Sequence, residues 1–203
     1  MGLSLVGIDC DLGEASVQIA SDSYSIGELA TRRLIDDGCS RILCLRSNSR
    51  MRMPANKRTD AYLDVVEQAG LPALVREVEF VKPDDEKSAV VAKILDENPD
   101  IDGIFAGDDT MAAICLNIMK QRGLSAPDDI KVVGADGARR TMTFMPDLTT
   151  VRQDIDRIGE LAAQSIIALV NGDNPESNIK LPVELIEAKP RSSSVPKEFL
   201  KRL

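Results

Sequence analysis

Short apolar runs rich in β-forming residues alternate with longer segments of helical spacing along most of this 203-residue chain. The predicted strands cover residues 4–8, 41–45, 75–81, 103–106 and 130–135, and the predicted helices cover 25–37, 56–69, 84–97, 109–122 and 154–170. Several of the helices stop at a glycine, which is a common signal for a helix C-terminus. Because a strand followed by a helix repeats in this way, the sequence predicts an α/β fold, with a doubly wound parallel sheet sandwiched by helices.

This rhythm is interrupted at both ends of the chain. Residues 9–22 follow the first predicted strand but hold no helix of the expected length, so we expect the chain to start partway through a larger fold. Residues 137–150 show no clear strand or helix, and a new extended segment begins after Pro146, which suggests a hinge or crossover. An edge strand is predicted near 178–187, before a polar tail.

The charge and residue composition exclude several classes of function. The chain has 33 Asp and Glu against 25 Lys and Arg, a formal charge of -8, and such a surface repels the phosphate backbone of nucleic acids. It has no histidine, which removes the usual general base and the commonest metal ligand. Its four cysteines are scattered, so we expect buried thiols in a reducing, cytoplasmic setting rather than disulfides or a metal site.

A series of short motifs runs through nearly the whole chain. They are Ile8-Asp9, Ser21-Asp22 leading to Gly27, the Asp-Gly-Cys-Ser-Arg-Ile segment at 37–42, Arg58-Thr-Asp-Ala-Tyr, Ala106-Gly-Asp-Asp with Met111-Ala112, Val133-Gly-Ala-Asp136, and Leu148-Thr-Thr-Val-Arg-Gln153. In this order and at these spacings, the sequence resembles the effector-binding region of the lactose-repressor (LacI/GalR) family of transcription regulators. The resemblance implies the two-lobed periplasmic-binding-protein-like type I fold.

The resemblance also implies how the chain is divided. Residues 1–22 would be a remnant of the N-terminal lobe and its crossover, and 23–147 the C-terminal, effector-binding lobe. Residues 148–175 would be a crossover and a helix of the N-terminal lobe, and 176–203 the final strand and tail. Family members begin with a helix-turn-helix that reads operator DNA, and we expect this chain to lack it and to hold mostly the C-terminal lobe.

The function implied by the resemblance is allosteric repression rather than catalysis. A sugar or related polar metabolite would bind between the lobes and shift their orientation, which would control operator binding through the helix-turn-helix. We expect no enzyme activity, cofactor, metal or membrane contact, and a homodimer for the full-length protein. Without the rest of the N-terminal lobe, we expect this chain to bind effector weakly and operator DNA not at all.

Two residues are the main candidates for effector binding. Arg58 opens a predicted helix, and its planar fork could donate two hydrogen bonds to neighbouring sugar hydroxyls, although a solvent-exposed arginine is the alternative. Asp136 ends a buried strand at its carboxyl end, where open α/β sheets bind ligands, although it could simply form the turn before Gly137. The resemblance favours effector binding for both.

Four further candidates come mainly from the resemblance. Asp108 matches a position that often carries a polar residue facing the ligand, whereas Asp109 is better placed to cap the helix that follows. Asp9 matches an effector-contacting acid but could be a loop-forming residue. Gln153 matches a cleft residue on the crossover segment, and Arg52 matches a position that some members use.

The sequence departs from the family pattern in two places. Ser21-Asp22 stands where relatives usually have Asp-Asn, which puts contacts through those positions in doubt. The segment Val81-Lys82-Pro83 lacks the usual aromatic ring, so a stacked sugar or purine would lose its platform. This change suggests a smaller, more polar or anionic effector, with Lys82 supplying charge.

Two other functions stay open from the sequence. Gly7-Ile8-Asp9-Cys10-Asp11 resembles the nucleophile motif of haloacid-dehalogenase-type phosphatases, in which Asp108 and Asp109 would hold Mg²⁺. Against this, Leu-Gly-Glu follows Asp11, and the motif at 148–153 would be left unexplained. A sugar-binding protein of a transporter shares the same lobes, and the scattered thiols speak against it.

Overall fold

The computed structural model describes residues 4–10, 12–13, 17–48, 56–79 and 81–188. The strands are β1 (Val6–Ile8), β2 (Val17–Ser21), β3 (Ile42–Asn48), β4 (Leu74–Glu79), β5 (Gly103–Ala106), β6 (Lys131–Asp136), β7 (Thr149–Gln153), β8 (Asn178–Leu181) and β9 (Val183–Ile186). The helices are α1 (Ser23–Asp36), α2 (Asn56–Gln68), α3 (Asp84–Glu97), α4 (Asp109–Gln121), α5 (Arg139–Phe144) and α6 (Ile155–Val170). The predicted α/β class is confirmed.

The larger of two sheets has the strand order β4-β3-β5-β6-β7-β9, in which only the last pair is antiparallel. Its central strands are largely apolar because helices cover both faces: all of β5 and the four interior positions of β6 are buried. One face packs against α1 and α2 through Ile26, Leu34 and Tyr62. The other face packs against α3 and α4 through Ile94 and Met111.

The smaller sheet has the order β1-β2-β8, with all strands parallel. Helix α6 covers it through a cluster built on Val17, Ile19 and Ile158. The chain passes between the two sheets at Asp22, Asp154 and Pro182, each of which separates an element of one sheet from an element of the other. These short connections bring the carboxyl end of the larger sheet against β1 and the start of α6.

Three elements differ from the sequence-based expectation. Strand β2 was not predicted, although its residues alternate between buried and half-buried positions as a strand should. Helix α5 was also missed, because it is 6 residues long and none is buried, so no helical periodicity can develop. The single edge strand predicted near 178–187 is two strands, because Pro182 separates β8 in the smaller sheet from β9 in the larger one.

Strand β7 also bears on the expected division of the chain. The resemblance implies that residues 148–175 are a crossover and a helix of the N-terminal lobe, and β7, at the start of this segment, pairs with β6 in the larger sheet. Burial explains this pairing, since Val151 and Thr150 are both fully buried beside the strands of the larger sheet. Only the helical part of that segment, α6, packs on the smaller sheet.

Two contacts fix the position of α2, which carries the candidate arginine. Gly27 of α1 lies so close to α2 that a β-carbon there would meet the carbonyl group of Arg58. At the other side, the Tyr62 hydroxyl donates to the carbonyl of Ile42 at 2.7 Å and accepts from the amide of Leu74 at 2.8 Å. Helix α2 is therefore held by backbone packing on one neighbour and by hydrogen bonds to two strands.

The four cysteines are free thiols. Cys39, Cys44 and Cys115 are buried, as predicted, whereas Cys10 is only partly buried. Burial raises the pKa of the Cys44 thiol to about 12, so this thiol stays protonated and unreactive. Among the described residues, no helix is both long enough and apolar enough to cross a membrane.

Candidate functional site

A cavity of about 410 Å³ lies between the two sheets, at the carboxyl ends of β3, β5, β6 and β7. Its polar lining includes Asp9, Ser47, Arg58, Asp108, Asp136 and Gln153, and its apolar lining includes Ile8, Leu45, Phe105, Ile155 and Ile158. The sequence-predicted residues Arg58, Asp136, Asp108, Gln153 and Asp9 thus surround one opening. Arg52 lies outside the described residues.

Arg58 reaches into the cavity from the first turn of α2. Its Nη1 donates to the carbonyl of Gly107 at 2.5 Å, and both Nη atoms lie 3.4 Å from Oδ1 of Asp136. The side chain is only 11% exposed, so the alternative of a solvent-exposed helix residue is wrong. These contacts hold the guanidinium between the loops that follow β5 and β6, with its fork beside the opening.

Asp136 ends β6 with an unusual backbone conformation, a φ of 118°. Its Oδ1 accepts a hydrogen bond from Nε2 of Gln153 at 2.6 Å and faces the Arg58 guanidinium. Burial raises the pKa of this carboxyl to about 6, an effect that the Arg58 charge opposes and the charges of Asp108 and Asp109 reinforce. Asp136 is therefore a cavity acid that titrates close to neutral pH.

Of the two neighbouring acids after β5, Asp108 both caps the following helix and lines the cavity, whereas Asp109 does neither. Asp108, and not Asp109, caps α4: its Oδ1 accepts the Met111 amide at 2.7 Å, and its backbone is extended as an N-cap requires. Its second oxygen accepts from the Ser47 hydroxyl at 3.1 Å, and the side chain also borders the cavity. The prediction that Asp109 caps the helix is wrong because Asp109 is itself the first residue of α4.

Asp9 approaches the cavity from the smaller sheet. Its φ is 48°, and its Oδ1 lies 3.4 Å from the backbone amide of Ser21. This contact ties the end of β1 to the end of β2, so Asp9 both shapes the loop and lines the cavity. The cavity wall is thus built from both sheets, and a molecule inside it would touch both.

Lys82 does not supply charge to the cavity. It follows the edge strand β4, lies outside the cavity lining, and its ammonium group is 3.2 Å from the Glu86 carboxylate. The hypothesis that Lys82 supplies charge to the effector is wrong because β4 lies at the edge of the sheet, separated from β6 by β3 and β5.

The acids proposed for phosphatase chemistry are used otherwise. Asp108 caps a helix, and Asp109 accepts hydrogen bonds from Gly137 and Thr150. Within the described ranges, no group of three or more His, Cys, Asp or Glu side chains is arranged to hold a metal ion. Asp11 lies outside the described residues, so the nucleophile pair itself has no described geometry.

Several cavity residues were not predicted. Ser47 and Gly107 come just after the predicted strands 41–45 and 103–106, so the rule that ligands gather at carboxyl ends could have found them. Ile8 also ends a predicted strand, but Ile155 had no such signal, because it comes from α6 and meets the cavity only through the tertiary fold.

The raised pKa of Asp136 predicts a pH-dependent stability. An acid that binds its proton more tightly when folded stabilises the protein below its ordinary pKa of 3.8, and this contribution is lost as the pH rises through about 6. The Asp136→Asn variant has no carboxyl group to titrate here, so its stability lacks this pH dependence, and Asn also tolerates a positive φ. The stability of wild type relative to this variant should fall by roughly 1 to 3 kcal/mol between pH 4 and pH 7, measured by urea unfolding.

Asp102 offers a control of opposite sign. Burial would raise its pKa, but hydrogen bonds from Ser40 and Arg41 outweigh that effect and lower it. The stability difference between wild type and Asp102→Asn should therefore change only in more acidic solution, and it should shrink as the pH falls. If the difference in unfolding free energy between wild type and Asp136→Asn is the same at pH 4 and pH 7, the prediction for Asp136 is wrong.

Sequence comparison identifies relatives of this chain. The sequence profile of the periplasmic binding protein-like domain matches residues 31–194. The chain is 32% identical to the sucrose operon repressor of Lactococcus lactis subsp. lactis over 181 residues, which are 89% of this chain and 55% of that protein. It is 31% identical to the ribose operon repressor of Halalkalibacterium halodurans over 167 residues, 82% of this chain and 50% of that protein. The chain spans about half the length of the curated relatives it matches.

Solved structures share the fold. A transcriptional regulator CelR–cellobiose complex superposes with a TM-score of 0.78 and 26% identity, over 91% of this chain and 58% of that one. A LacI family transcriptional regulator from Enterococcus faecium with bound ribose superposes with a TM-score of 0.80 and 20% identity, over 91% of this chain and 69% of that one. The resemblance to lactose-repressor-type regulators is confirmed, and the chain belongs to the periplasmic binding protein-like domain family.

Proposed function

We propose that this chain is the effector-binding part of a lactose-repressor-type transcription regulator, and that a neutral sugar or similar polyol binds between its two sheets. The observation that carries the proposal is the convergence of Arg58, Asp136, Asp108, Gln153 and Asp9 on one cavity. A few convergent polar groups in a largely apolar pocket are typical of a small-molecule site.

The chemistry of the lining fits a polyol. Arg58 can only donate hydrogen bonds, whereas carboxylates such as Asp136 and Asp108 can only accept them when ionised, and a sugar hydroxyl does both. Ile8, Ile155 and Ile158 offer apolar surface to the C–H face of a sugar ring. Three carboxylates border the cavity against the two guanidinium groups of Arg46 and Arg58, so the lining carries no excess of positive charge that would favour an anion over a neutral ligand.

The relatives support a sugar as effector. One matching structure holds ribose and another cellobiose, and the similar repressors are named for sucrose and ribose operons. The cavity volume of about 410 Å³ lies within the range of small-molecule pockets.

Ligand binding would control the orientation of the two sheets. A molecule that touches Asp9 and Ile155 on one side and Arg58 and Asp136 on the other stabilises one relative orientation, because it gains its full contacts only there. Passing this change to operator DNA, through a DNA-binding segment and the pairing of two copies, is part of the same proposal.

A direct test is titration of the ¹⁵N-labelled chain with D-ribose, sucrose and cellobiose, followed by NMR. We expect one of these sugars to shift the amide signals of Gly107, Gly137 and Gln153, and we expect these shifts to saturate as the sugar concentration rises. Gln153→Ala removes the hydrogen bond to Asp136 and should weaken binding roughly 10-fold. Gln121→Ala, on the exposed end of α4, is the matched control and should leave the affinity unchanged.

Two results would count against the proposal. If these amide signals do not shift even at very high sugar concentration, the proposal that a sugar binds in this cavity is wrong. Magnesium-dependent hydrolysis of p-nitrophenyl phosphate by the purified chain would instead favour the phosphatase alternative.

A further inference from the structure

Asp109 is a buried acid that lies next to the cavity without lining it. Its side chain is only 4% exposed, and it is absent from the cavity wall that Asp108 borders. Its Oδ2 accepts the backbone amide of Gly137 at 2.9 Å, and its Oδ1 accepts the hydroxyl of Thr150 at 2.7 Å. One carboxylate thus joins α4, the turn after β6 and strand β7.

The turn that Asp109 holds is strained. Asp136 has a φ of 118° and Gly137 a φ of 59°, so two successive residues have positive φ angles. For a residue with a side chain, such a conformation is unfavourable and persists only where surrounding contacts enforce it. The hydrogen bond from Gly137 to Asp109 is such a contact, and it acts directly at the strained position.

The surroundings of Asp109 are shaped to admit its carboxylate. A β-carbon at Gly134 would collide with Oδ1 of Asp109 and would lie 3.4 Å from the β-carbon of Ala112. Thr150 is fully buried and donates its hydroxyl to the carboxylate. Burial raises the pKa of Asp109, whereas the hydrogen bonds that Thr150 and Gly137 donate lower it. These two donors stabilise the ionised form of the carboxyl.

We propose that Asp109 is a positioning residue for effector binding, which fixes the Asp136–Gly137 turn so that the Asp136 carboxylate meets Arg58 and Gln153. Without this link the turn relaxes toward ordinary φ values, and the Asp136 side chain leaves its place between its two partners. Asp109 thereby acts on the ligand through Asp136 and touches no ligand atom. The ligand-binding part of this inference rests on the proposed function, whereas the placement of Asp136 does not.

Substitutions at Asp109 separate positioning from charge. Asp109→Asn keeps both links, because its oxygen can accept from Gly137 and its amide can donate to Thr150. Asp109→Ala removes both, and Asp109→Ser, which is too short to reach Gly137, is a milder substitute should the alanine variant fail to fold. Folding of each variant is checked by its dispersed NMR spectrum and its urea unfolding curve.

The first measurement needs no ligand. The ¹³C carboxyl signal of Asp136 gives its titration midpoint, which we expect near 6 in the wild type. Loss of the Asp109 charge lowers this midpoint in both the Asn and the Ala variant, because that charge disfavours ionisation of Asp136. In the Ala and Ser variants the Asp136 midpoint should fall further, toward its ordinary pKa of 3.8, because the Asp136 carboxyl becomes more exposed.

The second measurement is the affinity for D-ribose or whichever of the three sugars binds. We expect the Asn variant to stay within about 3-fold of wild type and the Ala or Ser variant to bind at least about 10-fold more weakly. A folded Ala or Ser variant that matches the Asn variant in both midpoint and affinity would overturn the inference. If no sugar binds the wild type, the proposed function fails, and the Asp136 midpoint alone decides whether Asp109 positions it.

Discussion

Gly27→Ala should destabilise the protein by about 3 kcal/mol or more and should disturb the cavity at the same time. A β-carbon at this position would press on the carbonyl oxygen of Arg58 and lie 2.8 Å from its carbonyl carbon. These are backbone atoms of a neighbouring helix, so no side chain can rotate away, and the two helices must separate. Overpacking of this kind costs about 1 to 3 kcal/mol even where side chains can adjust.

Gly159→Ala is the matched control, since it makes the same change in α6. A β-carbon there meets nothing within 4 Å, and alanine is a better helix former than glycine. We expect this variant to be more stable than wild type by about 0.5 to 1 kcal/mol. Urea unfolding of wild type and of both variants gives the three free energies of unfolding to be compared. Equal stability of Gly27→Ala and wild type would show that α1 and α2 do not pack as closely as described.

Arg58→Ala should cause the largest loss of sugar affinity, about 30- to 300-fold. The substitution removes the donors that face the opening and leaves the Asp136 carboxylate without its cationic neighbour. Losing one partner of a partly buried, charged hydrogen bond costs about 2 to 3 kcal/mol or more, which converts to this range. Isothermal titration with the sugar identified by NMR provides the measurement.

Two further variants make the Arg58 result specific. Arg58→Lys keeps the charge but loses the planar fork, so we expect an affinity between those of wild type and the alanine variant. Arg32→Ala removes an exposed arginine of α1 that pairs with Glu28, and its affinity should equal that of wild type. A folded Arg58→Ala protein that binds the sugar within twofold of wild type would exclude Arg58 from the site.

The central strands of the larger sheet could be predicted because each is a continuous apolar run between helices. β5 and β6 lie close to the predicted ranges, since burial on both faces favours apolar residues along β5 and at the four interior positions of β6. β2 and α5 could not be found with the same ease. β2 alternates over only 5 residues, and α5 buries none of its side chains, so neither produces a strong pattern.

The gathering of the site residues was also predictable to a large degree. Arg58, Asp108 and Asp136 stand just beyond strands or at a helix start, and parallel strands bring their carboxyl ends to one edge. The contributions of Asp9, Ile8 and Ile155 depend on how the smaller sheet faces the larger one. That arrangement is set by contacts between residues far apart in the chain, which periodicity cannot detect.

The sequence by itself determined the α/β class, the order of the central elements, and the side chains available to a ligand, because these follow from local periodicity and from chain direction in parallel strands. Only the tertiary structure decided what the acids do. Whether Asp108 or Asp109 caps α4, and why the pKa of Asp136 rises to about 6, depend on burial and on partners such as Gly137, Thr150 and Gln153. Those are properties of surroundings assembled from distant segments, and adjacent identical residues carry no local signal that tells them apart.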